Sequence, residues 1–242
     1  MSRSRCASSV LFALSLIALF PRPAAAGYEV ISVAESGSIN GKVLFDGPVP
    51  TRKIVPTKDR EACGKVHEEP VIAIGAGKGV QDAVVYVKSL TKGKPWPRLD
   101  QPAALSNKGC KFVPRVQAVP VGTRLVTVNE DPVLHNTHSF LGRSTVYNVA
   151  LPTQGQRIEK QLKSEGLVRF ECDAHGWMRG WVYVAENPYY AVTTKDGSFS
   201  IGDVPPGSYT LVAWQEYAGE TEIPVIVEPR KLAVVTVELK KK

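Results

Sequence analysis

Histidine and cysteine are both scarce, four of each in 242 residues. So few cysteines exclude a disulfide scaffold. Helical periodicity is nearly absent and no heptad or fixed repeat occurs, which excludes bundles, coiled coils and solenoids. After residue 26 no stretch approaches twenty apolar residues, so no integral membrane segment is expected. Gly-x-Ser-x-Gly, His-Glu-x-x-His and phosphate-loop motifs are missing, and the expectation is a protein that is not an enzyme. No nucleic-acid partner is expected either, because the basic residues are scattered apart from the terminal Lys240, Lys241 and Lys242.

Residues 1–26 place Arg3 and Arg5 before an apolar run, Val10 to Phe20, and end in Pro-Ala-Ala-Ala ahead of Gly27. That pattern is an export signal with small residues at the cleavage point, and the periplasm is the simplest destination. Its loss removes Arg3, Arg5 and Arg22, taking the formal charge from +7 to 7 − 3 = +4. Cys6 leaves as well, so Cys63, Cys110 and Cys172 remain.

Strand signals fill the rest. Ile39 to Phe45, Ala83 to Lys88, Arg124 to Asn129, Leu167 to Cys172, Trp181 to Val184, Tyr209 to Trp214 and Leu232 to Leu239 are β-branched or aromatic runs bounded by turn residues. Their spacing predicts an all-β protein built of sandwiches.

The chemistry gathers at two places. Cys172-Asp-Ala-His175-Gly-Trp-Met178 supplies a thiolate, an imidazole and a thioether within one short loop, and Asp131-Pro-Val-Leu-His135-Asn-Thr-His138 supplies further imidazoles. Copper in a type 1 site takes a cysteine sulfur and two histidine nitrogens in a near-trigonal plane, with a weak axial methionine. Alternation in Gly166-Leu-Val-Arg-Phe-Glu-Cys172 puts Val168, Phe170 and Cys172 on one strand face, so the thiol points into a core. Singly, a buried cysteine is an inert small hydrophobe and a methionine beside an aromatic is packing. Jointly, their order and spacing favour one metal ion held by His135, Cys172, His175 and Met178. A zinc set of Cys63, His67, Cys172 and His175 is the competing arrangement. If Cys172 binds metal, Cys63 and Cys110 are the remaining pair, and an oxidising compartment favours a disulfide between them.

The paired motifs resemble the cupredoxins, amicyanin-like ones most closely, over roughly residues 113 to 185. The resemblance rests on His135-Asn136-x-His138 and on Cys172, His175, Met178, Arg179 and Gly180 in order. It implies one type 1 copper ion on His135, Cys172, His175 and Met178, with His138 a neighbour. It also implies single-electron transfer with a redox protein partner, docked on an exposed edge of His175 and apolar residues such as Trp177. Gly176 departs from the pattern, standing where the family motif has proline.

The flanks resemble a carboxypeptidase regulatory-like (transthyretin-like) β-sandwich. Asn40-Gly-Lys-Val-Leu-Phe-Asp-Gly, Ala83-Val-Val-Tyr-Val, the run from Ala191 through Asp196-Gly197 and Pro206-Gly207 to Trp214, and the terminal Val234 to Leu239 carry that resemblance. The expected organisation is a split sandwich, residues 36–92 plus 188–240, with a copper domain of residues 103–187 inserted or standing beside it. Residues Lys92 to Pro97 are expected to be an exposed connection. Two other functions stay open: an envelope-binding module with structural copper, and a copper carrier. A copper enzyme is disfavoured, since four histidines cannot supply both a type 1 site and a histidine-rich catalytic site.

Overall fold

The structure is a computed structural model that describes residues 27–241; the expected export signal lies outside the described residues. Among them the chain is all β, interrupted by a helical turn at Arg60–Cys63 and a 3-10 turn at Ala76–Lys78.

Two stacks of sheets form two cores. In the outer stack, one sheet runs in the order Tyr190–Val192, Val84–Val87, Gly207–Gln215, Gly219–Val227, and the other runs Ser198–Val204, Gly37–Phe45, Leu232–Leu239. Gly37–Phe45 and Val84–Val87 therefore each sit between strands from beyond residue 189. The period-2 pattern drives this: Ile39, Val43 and Phe45 point inward with Val85, Val87, Leu211, Ala213 and Val237, while Asn40 faces solvent.

Turn chemistry closes the outer stack. Gly197 takes φ 79, and a Cβ there would lie 2.5 Å from the Val43 carbonyl oxygen, so only glycine fits. Asp196 Oδ1 accepts from Thr194 Oγ1 (2.6 Å) and Ser198 Oγ (2.7 Å) across the same turn. Gly207 has no positive φ; its missing Cβ makes room for the Tyr209 ring, whose hydroxyl donates to the Pro205 carbonyl at 2.8 Å.

The inner stack is built from residues 104–185. One sheet runs Arg157–Gln161, Arg124–Asn129, Ala104–Lys108, Lys111–Val113; the other runs Ser144–Leu151, His135–Leu141, Gly166–Glu171, Arg179–Ala185, Val116–Pro120. Leu105, Phe112, Leu125, Val168, Phe170 and Val182 fill the space between them. The stacks meet along an aromatic seam, where Tyr86 stacks on Tyr183 at 4.5 Å and Trp181 meets Trp214 edge-on at 4.9 Å. Trp181 Nε1 donates to Glu216 Oε2 at 2.6 Å, satisfying the indole where it would otherwise be stranded.

Residues Lys92 to Pro97 are not a free connection. Lys92–Gly93 pairs in parallel with Glu29–Val30, and Trp96 is half-buried edge-on to Tyr28 at 5.5 Å. Aromatic burial explains the difference, since a tryptophan in a proline-rich segment still removes a large apolar area from water when a neighbour is near.

One arm crosses from the outer to the inner stack. Thr51–Ile54 pairs antiparallel with His67–Pro70, and their connecting loop, residues 55–66, carries the Arg60–Cys63 turn. Cys63 is disulfide-bonded to Cys110 across 47 residues of chain. Lys111 Nζ adds an ion pair to Glu69 Oε1 at 2.5 Å. Closing a loop of that size is worth about 4 kcal/mol through the unfolded state in the chain-entropy model. Denaturant unfolding should therefore show Cys63→Ala/Cys110→Ala less stable than the oxidised protein by roughly 2–4 kcal/mol; equal midpoints would show that the bond contributes nothing to stability.

Candidate metal centre

Strand pairing brings the donors together. His138 stands opposite Glu171 in the antiparallel pair of His135–Leu141 with Gly166–Glu171, so the register continues to Thr137 opposite Cys172, one residue past the end of its strand, and His135, two residues further along, meets the sulfur diagonally. Two successive turns then fold the loop back: the His175 amide donates to the Cys172 carbonyl at 3.2 Å and the Met178 amide to the His175 carbonyl at 2.9 Å. Asn136 staples the two segments. Its Oδ1 accepts from the Asp173 and Ala174 amides, at 2.5 and 3.2 Å, and its own backbone N–H points at Cys172 Sγ at 3.4 Å. The neighbour relation of His135 and Asn136 thus has a physical purpose: one residue donates to the site and the next fixes the opposing loop.

Three donor atoms face one another. Cys172 Sγ lies 3.8 Å from His135 Nδ1 and 3.7 Å from His175 Nδ1, and the two Nδ1 atoms are 3.0 Å apart. All three side chains are buried. Met178 is buried as well, in the same apolar cluster as Cys172, Phe112 and Phe170. Gly180 lets this end of the loop close, since a Cβ there would come within 2.9 Å of Phe112 Cβ.

The outer nitrogens are committed to carboxylates. His135 Nε2 lies 2.8 Å from Asp131 Oδ2, and His175 Nε2 lies 3.0 Å from Asp59 Oδ2. A carboxylate accepts, so each ring carries its proton on Nε2 and turns a bare Nδ1 inward. Two lone pairs and a sulfur at these separations are a poor arrangement unless something positive lies among them. Bonds of about 2.0–2.3 Å to one ion in a trigonal plane place ligand atoms roughly 3.5–3.8 Å apart. The sulfur–nitrogen separations match this, whereas the two Nδ1 atoms, at 3.0 Å, would have to move apart to admit an ion. The donor set, one sulfur and two imidazole nitrogens, all buried, with Met178 in the same apolar cluster as the sulfur, suits copper better than zinc.

Burial shapes the acid–base state of the centre. Desolvation raises the Cys172 pKa above the ordinary thiol value, against the lowering effect of amide donors from Asn136, His175 and Ala174. Desolvation likewise lowers the His135 pKa, outweighing the pull of Asp131, so this ring stays neutral and available at neutral pH.

The remaining expectations fare differently. His138 points away from the donor cluster, with Nδ1 3.1 Å from Asp173 Oδ1 and Nε2 3.0 Å from Thr145 Oγ1. The zinc set fails: Cys63 is held in its disulfide, and His67 sits on the arm between the Lys65 carbonyl and Glu69. The exposed edge expected of His175 is absent. That ring is 0% exposed, covered by the loop 55–66 and capped by Asp59. Trp177 is half-buried, its ring 5.0 Å from that of His175, and lines a cleft of about 420 Å³ between the stacks. Sequence reasoning missed Asp59 and Asp131. Asp131 sits four residues before His135, a spacing that could have flagged it; Asp59 lies 116 residues from His175 and no local pattern points to it.

A family model described as polysaccharide lyase family 4, domain II, matches residues 164–234, a span that begins in the inner stack and ends in the outer. Among curated proteins none matches the chain. Among solved structures, a purple cupredoxin from Nitrosopumilus maritimus is 27% identical, with 34% of this chain and 99% of that one covered and a TM-score of 0.31. A single-site mutant of amicyanin, in its reduced Cu(I) form, is 22% identical over 36% of this chain and 86% of that one, with a TM-score of 0.32. A Cu-containing nitrite reductase from Thermus scotoductus SA-01 is 17% identical over 60% and 28%, also with a TM-score of 0.32. With scores this low, any copper assignment has to stand on the side chains of the site.

Proposed function

We infer that this is an exported type 1 copper protein that carries single electrons between redox partners and performs no catalysis of its own. One observation carries the reading: Cys172 Sγ and the two bare Nδ1 atoms of His135 and His175 converge in the buried interior, each ring held from behind by a carboxylate. His135, Cys172, His175 and Met178 would hold the ion. Copper there supplies a one-electron couple and, through the thiolate, strong electronic coupling to the protein. The chain does the rest. Asp131 and Asp59 fix the ring tautomers, Asn136 locks the loop to the neighbouring strand, and burial keeps water from the donor atoms. A site so constrained moves little when its charge changes, which favours repeated electron transfer over release of the ion.

The inner stack is, in this reading, a cupredoxin-like domain inserted into a regulatory-like sandwich made of residues 36–92 and 188–240. Support comes from the strands Gly37–Phe45 and Val84–Val87, each flanked on both sides by strands from beyond residue 189. The periplasm is the proposed location.

The test separates the two upstream histidines. His135→Ala should abolish or drastically alter the copper absorption spectrum, and His138→Ala should leave it nearly unchanged, because the ring nitrogens of His138 face Asp173 and Thr145 and not the donor cluster. The reverse pattern would overturn the ligand assignment. A colourless wild-type complex that hands its copper to a chelator readily would instead favour copper carriage.

A further inference from the structure

The loop 55–66 does more than cover the site. The chain enters Asp59 with φ 52 and ψ 37, a left-handed conformation that few residues adopt, and there starts the helical turn Arg60–Cys63. The Asp59 carbonyl accepts from the Ala62 and Cys63 amides, at 3.0 and 2.8 Å, so its backbone is held by the turn and its side chain is free to reach outward. That side chain ends 3.0 Å from His175 Nε2. Cys63 closes the same turn and is bonded to Cys110. On the far side of the bond, Asp131 accepts from the Gly109 and Cys110 amides, at 2.7 and 2.8 Å, and from His135 Nε2 at 2.8 Å. A continuous ring of contacts therefore runs His175, Asp59, Cys63, Cys110, Asp131, His135. The disulfide stands close against it, its two sulfurs and a His175 ring nitrogen all within 4.8 Å of one another.

We propose that Asp59 is a positioning residue of the metal centre: presented by the disulfide-tethered loop, its carboxylate takes the Nε2 proton of His175 in a hydrogen bond, leaves Nδ1 bare for the ion and seals the ring edge from solvent and from direct contact with a partner. This rests on the copper reading above. Asp59 acts through His175 and touches no metal itself.

The left-handed backbone dictates the variants. Asp59→Gly deletes the carboxylate without straining φ, and Asp59→Asn keeps an acceptor oxygen while removing the charge. Long-range nitrogen–proton NMR of the metal-free protein should show His175 in a single tautomer, protonated on Nε2, in the wild type, and a mixture in Asp59→Gly. Cu(II) affinity measured by chelator competition should fall about 10- to 100-fold in Asp59→Gly, the usual cost of losing such a partner, with Asp59→Asn between it and the wild type. A purely structural role would lower the melting temperature of Asp59→Gly while leaving tautomer and affinity as they were, and that result overturns the proposal. Failure of the wild type to bind Cu(II) would sink the copper reading and the proposal with it, an outcome distinct from a blue wild type matched by an equally blue, equally tight Asp59→Gly.

Discussion

Cu(II) added to the metal-free protein should turn it intensely blue, and Cys172→Ser should abolish the colour while the fold persists. The colour requires charge transfer from a thiolate bound strongly in the ligand plane, and Cys172 is the sole free cysteine among the described residues. Its sulfur already faces both Nδ1 atoms at 3.7 and 3.8 Å, so little rearrangement stands between the metal-free and loaded forms. Serine is nearly isosteric, and the surrounding Phe112, Phe170 and Val182 keep their packing, which is why loss of colour should not accompany loss of structure. A pH dependence follows with a definite sign. Because burial raises the Cys172 pKa, the metal-free thiol holds its proton at neutral pH, and binding must expel it. Apparent Cu(II) affinity should thus rise with pH, by about tenfold per unit while that one proton is released, and flatten once the free thiol has ionised. Blue colour retained in Cys172→Ser, or a colourless wild type, would refute the type 1 assignment.

The candidate donor set stands out in the sequence because its spacing is local: three of the four candidate ligands lie in one seven-residue loop, and the fourth is marked by the asparagine beside it. What the residues could not convey was what stands behind them. Asp59 reaches His175 from a loop tethered through Cys63, and nothing in residues 55–66 advertises contact with a strand end more than a hundred residues away. The covering of the His175 edge went unforeseen for the same reason, being a property of a distant segment and not of the ligand loop. Strands behaved similarly. Arg124–Asn129 and Leu232–Leu239 are bounded as their residues suggest, since β-branched runs on a half-buried surface carry their own signal. Gly219–Val227 escaped notice because Pro224 and alternating glutamates read as loop. It is an edge strand, where a proline without an N–H is tolerated and charge protects the open side. The pair Thr51–Ile54 and His67–Pro70 was missed too, because its side chains are polar or exposed apart from Ile54 and carry no run of buried apolar residues.

Cutting the chain after Ala185 should destroy the outer stack even though every candidate ligand survives the cut. Strand Gly37–Phe45 would lose both Ser198–Val204 and Leu232–Leu239, and Val84–Val87 would lose both Tyr190–Val192 and Gly207–Gln215. Ile39, Val43, Phe45, Val85 and Val87, all buried in the intact chain, would then face water. Each such side chain is worth about 1.5–3 kcal/mol when buried. Five of them together are comparable to a typical domain stability of roughly 5–15 kcal/mol. The unpaired edges left behind are templates for association. Residues 27–185 should accordingly aggregate, seen as loss of the monomer peak in size-exclusion chromatography. Residues 103–187 alone retain His135, Cys172, His175 and Met178 and should still take up copper, but more weakly than the intact protein, because the fragment lacks both Asp59 and the disulfide partner of Cys110. Soluble, well-folded protein from residues 27–185 would mean that the N-terminal strands find partners within the inner stack, and the inserted-domain arrangement would have to be abandoned for two domains in tandem.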